Sequence, residues 1–148
     1  MKLSAANDAY GFSYAEAGGS TATQASVLFD NATVKAMEAG EILKDLHDVT
    51  ISAGGLTITN DFVVSITNTT LKVTPGMTAI TMTGTGTLDL SHATVQFASA
   101  PGGAFDFAVA QGGSFTGLPA VARPWKARLM DGGTRCKISK CGLVILVR

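Results

Sequence analysis

At 148 residues the chain is long enough for one ordinary domain with a real core, and 46% hydrophobic residues are enough to fold it. Charged residues make up only 15%, beside 17 glycines and 4 prolines, which is unlike a charged helical protein of the cytosol and points to extended β structure with small side chains at its corners. The net charge of zero hides a polarity: residues 1–118 hold four lysines against ten acids, a balance of −6, while 119–148 hold seven bases against Asp131 alone, a balance of +6.

The opening MKLSAANDAY has a lysine but no apolar core behind it, so it does not read as a secretory signal. No apolar run approaches the roughly 18 residues of a membrane-spanning helix, and no transmembrane segment is expected. The composition nevertheless looks extracellular. The expectation is a secreted or cell-surface chain that forms the C-terminal part of a longer protein. Residues 1–33 read as an N-terminal segment or a partial first coil, with faint apolar–polar–apolar triplets at Phe12-Ser13-Tyr14 and Val27-Leu28-Phe29. Next, AMEAGEILKDLHD (36–48) reads as a helix, an insert or a cap, with Met37, Leu43 and Leu46 partly on one side.

A repeat follows. A shift of 24 lays Leu56-Thr57-Ile58 on Ile80-Thr81-Met82, Val64-Ser65-Ile66 on Leu88-Asp89-Leu90, and Leu71-Lys72-Val73 on Val95-Gln96-Phe97. Each triplet has the period-two signature of a short strand with two side chains inward and one outward. A shift of 25 extends the series to Phe105-Asp106-Phe107 and to Phe115, and a shift of 22 backwards extends it to Val49-Thr50-Ile51 and Val34-Lys35-Ala36. NTTLKV (68–73) and HATVQF (92–97) thus share a face, whereas the similar NATVKA (31–36) falls on another. Three strands per unit of 22–25 residues predict an all-β parallel β-helix over 34–118, with coils about 4.8 Å apart. A β-sandwich or jelly roll also has many short strands, but would not keep a three-triplet register.

Residues 119–148 break the period. Trp125, Ala127 and Leu129 alternate, Asp131-Gly132-Gly133 makes a turn, and Ile138 and the apolar LVILV (143–147) follow. This predicts an antiparallel hairpin with a third strand, serving as a cap over the open end of the coils. With coil length and in–out–in triplets established, 34–118 resembles the right-handed parallel β-helix proteins, the pectate-lyase-like and autotransporter-passenger-like group. The resemblance implies the architecture; folds of that group carry polysaccharide lyases and hydrolases, adhesins, tailspikes and filaments, so it does not select a function.

Chemistry must come from the outward positions. The predicted outward sets are Lys35, Thr57, Thr81 and Asp106; Leu43, Ser65, Asp89 and Ser114; and Thr50, Lys72, Gln96 and Ala122. No set places two acids in adjacent coils, as sugar cleavage by paired carboxylates would require. No catalytic residue, cofactor or metal is therefore expected. His47 and His92 read as surface corner residues. Cys136 and Cys141 are compatible either with a small disulfide loop or with two free thiols, and zinc lacks ligands nearby. Thr57, Thr59, Thr81 and Thr83 suggest a threonine ladder broken at Lys35 and Asp106, although threonine is also an ordinary outward residue of strands. NAT (31–33) and NTT (68–70) match the glycosylation sequon, relevant only to a eukaryotic secretory route. The one candidate binding set is the basic Arg123, Lys126, Arg128, Arg135, Lys137 and Lys140, suited to an anionic partner; with one aromatic and no nucleic-acid motif, nucleic acid is not expected. The expected function is a non-enzymatic structural or adhesive β-solenoid that meets a polysaccharide surface or associates with itself. A carbohydrate-active β-helix enzyme and a self-assembling filament subunit are the alternatives.

Overall fold

A computed structural model describes residues 27–46 and 48–142, together with the backbone of short strands at 2–4, 8–10 and 12–13. The chain is an all-β solenoid of stacked parallel coils, closed at its C-terminal end by antiparallel strands. Strands β1 (Lys2–Ser4), β2 (Asp8–Tyr10) and β3 (Phe12–Ser13) are followed by β4 (Val27–Asp30), β5 (Ala32–Lys35) and β6 (Gly40–Lys44). Next come β7 (Val49–Ile51), β8 (Leu56–Thr59), β9 (Val63–Val73), β10 (Ile80–Thr83) and β11 (Thr87–Phe97). The last are β12 (Phe105–Ala110), β13 (Ser114–Thr116), β14 (Ala120–Val121), β15 (Trp125–Met130) and β16 (Arg135–Lys140).

Each coil contributes strand segments to three faces, β9 and β11 each serving two of them. Along the first face Val27, Val49, Leu71, Val95 and Val121 stack in register. Along the second, Ala32, Leu56, Ile80 and Ala108 stack, and beside them Val34, Ile58, Met82 and Ala110. Along the third, Gly40, Val64, Leu88 and Phe115 stack. These columns form one continuous core, in which Leu71, Ile80, Leu88, Phe107 and Ile138 are fully buried. The predicted stacking of Leu71 with Val95 and of Ile58 with Met82, on parallel neighbours, is observed. NATVKA indeed lies on a different face from NTTLKV and HATVQF.

Several details differ from the sequence reading. Among the described residues of 36–48 there is no helix: β6 occupies 40–44. A bulge between Glu41 and Leu43 turns both Ile42 and Leu43 inward, and Asp45 then bends the chain at φ 54° so that Leu46 is buried as well. Bulge plus bend imitates helical spacing. Leu43 is consequently not outward, and Glu41 takes its place beside Ser65. On the second face the shift from β5 to β8 is 24, so Thr33 and not Lys35 aligns with Thr57. The shift from β10 to β12 is 28: Ile80 pairs with Ala108 rather than Phe105, because the alternation of β12 breaks where Phe107 and Ala108 are both buried. Phe115 pairs with Leu88 rather than Leu90. Near the N-terminus Ala9 aligns with Val34, and Phe12 with Leu43 on the third face; Tyr14 lies outside the described residues.

Corners are made by residues that tolerate left-handed backbone. The non-glycine residues with positive φ among those described are Asn31, Asp45, Asn68 and Asp131. Asn68 turns β9 from the third face to the first without interrupting the strand, and its Nδ2 donates to Asp45 Oδ1 of the coil before, at 2.8 Å. A second corner is organised by Asn60, which is buried. Its Nδ2 donates to the carbonyls of Phe62 (3.0 Å) and Thr87 (3.1 Å), and its Oδ1 accepts the Phe62 N–H at 2.8 Å. Gly84, at φ +94°, packs over it so closely that a Cβ would lie 2.9 Å from the Asn60 carbonyl carbon.

The C-terminal hairpin is present. β16 pairs antiparallel with β12 and β15 pairs antiparallel with β16, so the second face is covered by the protein's own chain. The predicted third strand at 143–147 lies outside the described residues. Cys136 and Cys141 are free thiols, the first buried on β16 of the hairpin and the second exposed. Burial, with a smaller contribution from Asp106, pushes the Cys136 thiol from 9.0 up to about 11. A thiol reagent at pH 8 is expected to modify Cys141 in the native protein and Cys136 only after unfolding, which titration with and without denaturant would check. Because the folded pKa is the higher one, the stabilisation from a neutral Cys136 is complete below pH 9 and is lost as pH rises towards 11.

Candidate functional site

The basic residues of the C-terminal segment converge on the hairpin because a strand of period two sorts them. Trp125, Ala127 and Leu129 of β15 pack against the core, so Lys126, Arg128 and Met130 take the opposite face. Across the ladder Lys126 pairs with Ser139, Arg128 with Lys137, and Met130 with Arg135. Arg128 and Lys137 are therefore direct cross-strand partners of like charge, and Asp106 of β12, already held by Arg135, stands opposite Lys137 on its other side.

Arg135 is occupied in a different way. Its Nε donates to Asp131 Oδ2 at 2.7 Å and its Nη1 to Asp106 Oδ2 at 3.1 Å, so it clasps the turn of the hairpin to the last full coil. Those carboxylates raise its pKa, the Asp131 hydrogen bond most of all. Arg135 thus acts as a cap fastener. Lys126, Arg128 and Lys137 make no ion pair among the described residues. Lys140 pairs with Trp125 at the open end of the hairpin, and Arg123 lies in the connection from β14 to β15.

Beside the hairpin is an open cleft of about 460 Å³ between β14 and β15. Its lining combines the apolar Leu118, Pro119, Val121 and Trp125 with Arg123, Lys126 and Cys141. Trp125 meets Phe97 edge-on at 6.1 Å, and Phe97 meets Phe105 edge-on at 6.2 Å, so the indole is braced against the last coils. Sequence alone identified the bases but missed the cleft. Its apolar wall comes from Leu118 to Val121, which join the bases only because β14 stacks on β11.

The other candidates fall as follows. On the third face Glu41, Ser65, Asp89 and Thr116 form one outward column, with Ser65 separating the two acids. Glu41 is bound to Lys44 at 3.0 Å, and that hydrogen bond lowers its pKa, the opposite of what a general acid needs. On the second face the corrected register lengthens the threonine ladder: Thr33, Thr57 and Thr81 form one column, and Lys35, Thr59 and Thr83 form the next. Thr59 and Thr83 share a hydrogen bond of 3.0 Å, and Val109 ends the first column. His92 is exposed on β11 at a register irregularity, while His47 lies outside the described residues. Among the described residues no three His, Cys, Asp or Glu side chains cluster as metal ligands, and no helix is long and apolar enough to cross a membrane. No family model, curated protein or solved structure matches this sequence.

Proposed function

We propose that the protein is a non-enzymatic structural or adhesive β-solenoid of a secreted or surface-exposed protein, and that its C-terminal hairpin holds it to a polyanionic polysaccharide. The observation that carries this is the cross-strand pair of Arg128 and Lys137. Like charges directly opposite one another destabilise a sheet. A partner bearing carboxylates or sulfates would offset that repulsion and engage Lys126 as well. The low charge content and small-residue corners support an extracellular setting. The hairpin is bonded to its own last coil, which favours a cap over a head-to-tail filament contact.

The test is salt-dependent retention on immobilised heparin. The wild-type protein is expected to bind at low salt and to elute as screening sets in, since exposed charges are screened beyond about 10 Å at 0.1 M. The R128Q/K137Q variant should elute at clearly lower salt. In the absence of polyanion its stability should stay within about 0.5 kcal/mol, because the lost repulsion of Arg128 by Lys137 is offset by the lost attraction of Lys137 to Asp106 across the ladder. Wild-type protein that flows through at low salt refutes the proposal.

A further inference from the structure

We infer that the cleft between β14 and β15 seats one acidic sugar ring of such a glycan, stacked on Trp125 and paired through its anionic group with Arg123 and Lys126. This rests on the reading of the hairpin as a polyanion-binding surface, and it assigns the recognition to a specific pocket. Three observations converge on it.

The first is the lining. A cleft of about 460 Å³ is within the range of ligand-binding pockets, and such pockets combine apolar walls with a few polar groups that fix orientation. Here the walls are Leu118, Val121 and Trp125, and the polar groups are two cations. A sugar ring presents an apolar C–H face and a hydroxylated rim, which suits an aromatic platform; an acidic sugar adds the anion that the cations require. Arg123 supplies a planar fork that can bind a carboxylate or sulfate through two hydrogen bonds, and Lys126 a mobile point charge.

The second is rigidity. Trp125 is held edge-on by Phe97, which is held by Phe105, so the platform is ordered before a ligand arrives. A prearranged aromatic surface binds at lower entropic cost than one that must be fixed on contact. The third is charge. Neither Arg123 nor Lys126 has an ion-pair partner among the described residues, while Arg135, at the turn end of the hairpin, is held by two carboxylates. A single aromatic also favours a sugar over single-stranded nucleic acid, which is bound through successive stacked bases on several platforms.

Trp125 is the only tryptophan of the chain, so its fluorescence reports on this cleft alone. The full-length protein would be titrated with a heparin tetrasaccharide, a tetrauronate, a neutral cellotetraose and an oligothymidylate. The expected result is a saturable change with an acidic oligosaccharide and none with cellotetraose or oligothymidylate. A response to the tetrauronate identifies carboxylate recognition; a response to the heparin fragment alone identifies sulfate. R123Q, a change at an exposed side chain, should weaken the Kd about tenfold, the effect of losing one charge-assisted contact. Unchanged fluorescence with both acidic probes, in protein that is still retained on heparin, overturns the cleft while leaving the hairpin reading intact. Failure of retention overturns the hairpin reading itself. Equal binding of the oligothymidylate, or R123Q binding like wild type, also overturns the sugar assignment.

Discussion

Leu88→Ala is expected to cost about 2–5 kcal/mol, towards the upper end, in urea or thermal unfolding. Leu88 is fully buried on the third face, with Val64 in the coil before and Phe115 in the coil after. The cost of such a truncation depends on how far the surroundings can collapse into the space. Here they can move little, because β11 is hydrogen-bonded in parallel register to β9 on one side and β13 on the other. A shift that closed the gap would break the ladders above and below it. Gln96→Ala, at an exposed position of the same strand, should stay within about 0.5 kcal/mol and serves as the control. A loss at Leu88 no larger than at Gln96 would contradict the stacked core.

Asn60→Ala is the second large effect, about 1–3 kcal/mol, and it acts through polar groups. The amide of Asn60 serves the Phe62 N–H, the Phe62 carbonyl and the Thr87 carbonyl, and so joins one corner to the start of the strand in the next coil. The Phe62 carbonyl also accepts the Thr87 N–H and keeps a partner. Removal of the side chain strands the Phe62 N–H beside a buried site, at about 1–3 kcal/mol, while the Thr87 carbonyl keeps its place in the parallel ladder with β9. Asn60→Asp keeps the acceptor but removes both donors and buries a charge, so it should be at least as harmful at neutral pH. Chemical denaturation of both variants, with amide exchange at Phe62, separates this from a packing effect; an Asn60→Ala protein of wild-type stability would refute it.

The parts of the fold readable in the sequence were those where alternation is unbroken. From Val49 to Phe97 each strand of the three faces is an apolar–polar–apolar triplet and the coil lengths are 22 to 24, so a simple shift finds the register. Legibility fails where an extra residue enters. The bulge at Ile42 made a strand look helical, and the paired burial of Phe107 and Ala108 concealed a shift of 28 behind an attractive Phe-Asp-Phe triplet. A bulge leaves the residue types unchanged and alters only their phase, so composition gives no warning. Of the candidate site, the basic residues were evident from charge alone, and alternation placed them on a hairpin. Their division of labour was not. That Arg135 fastens the cap while Arg128 and Lys137 stand opposite each other depends on which residues of β12 and β15 lie opposite β16. Asn60 was overlooked because asparagine at a corner is ordinary, and only its burial distinguishes it.

The two eleven-residue strands have a consequence for how the molecule comes apart. Because β9 and β11 each run through a corner, two faces of adjoining coils are joined along one pair of strands, with a register irregularity only at His92, whereas most other neighbouring strands meet over only three or four residues. Solenoids behave as chains of coupled units, each held by its neighbours. Coupling that is uniform lets such a chain fray gradually from either end. Coupling that is concentrated at one junction makes the centre a keystone: partial openings on either side can come and go without it, and once it parts, both halves lose their template together.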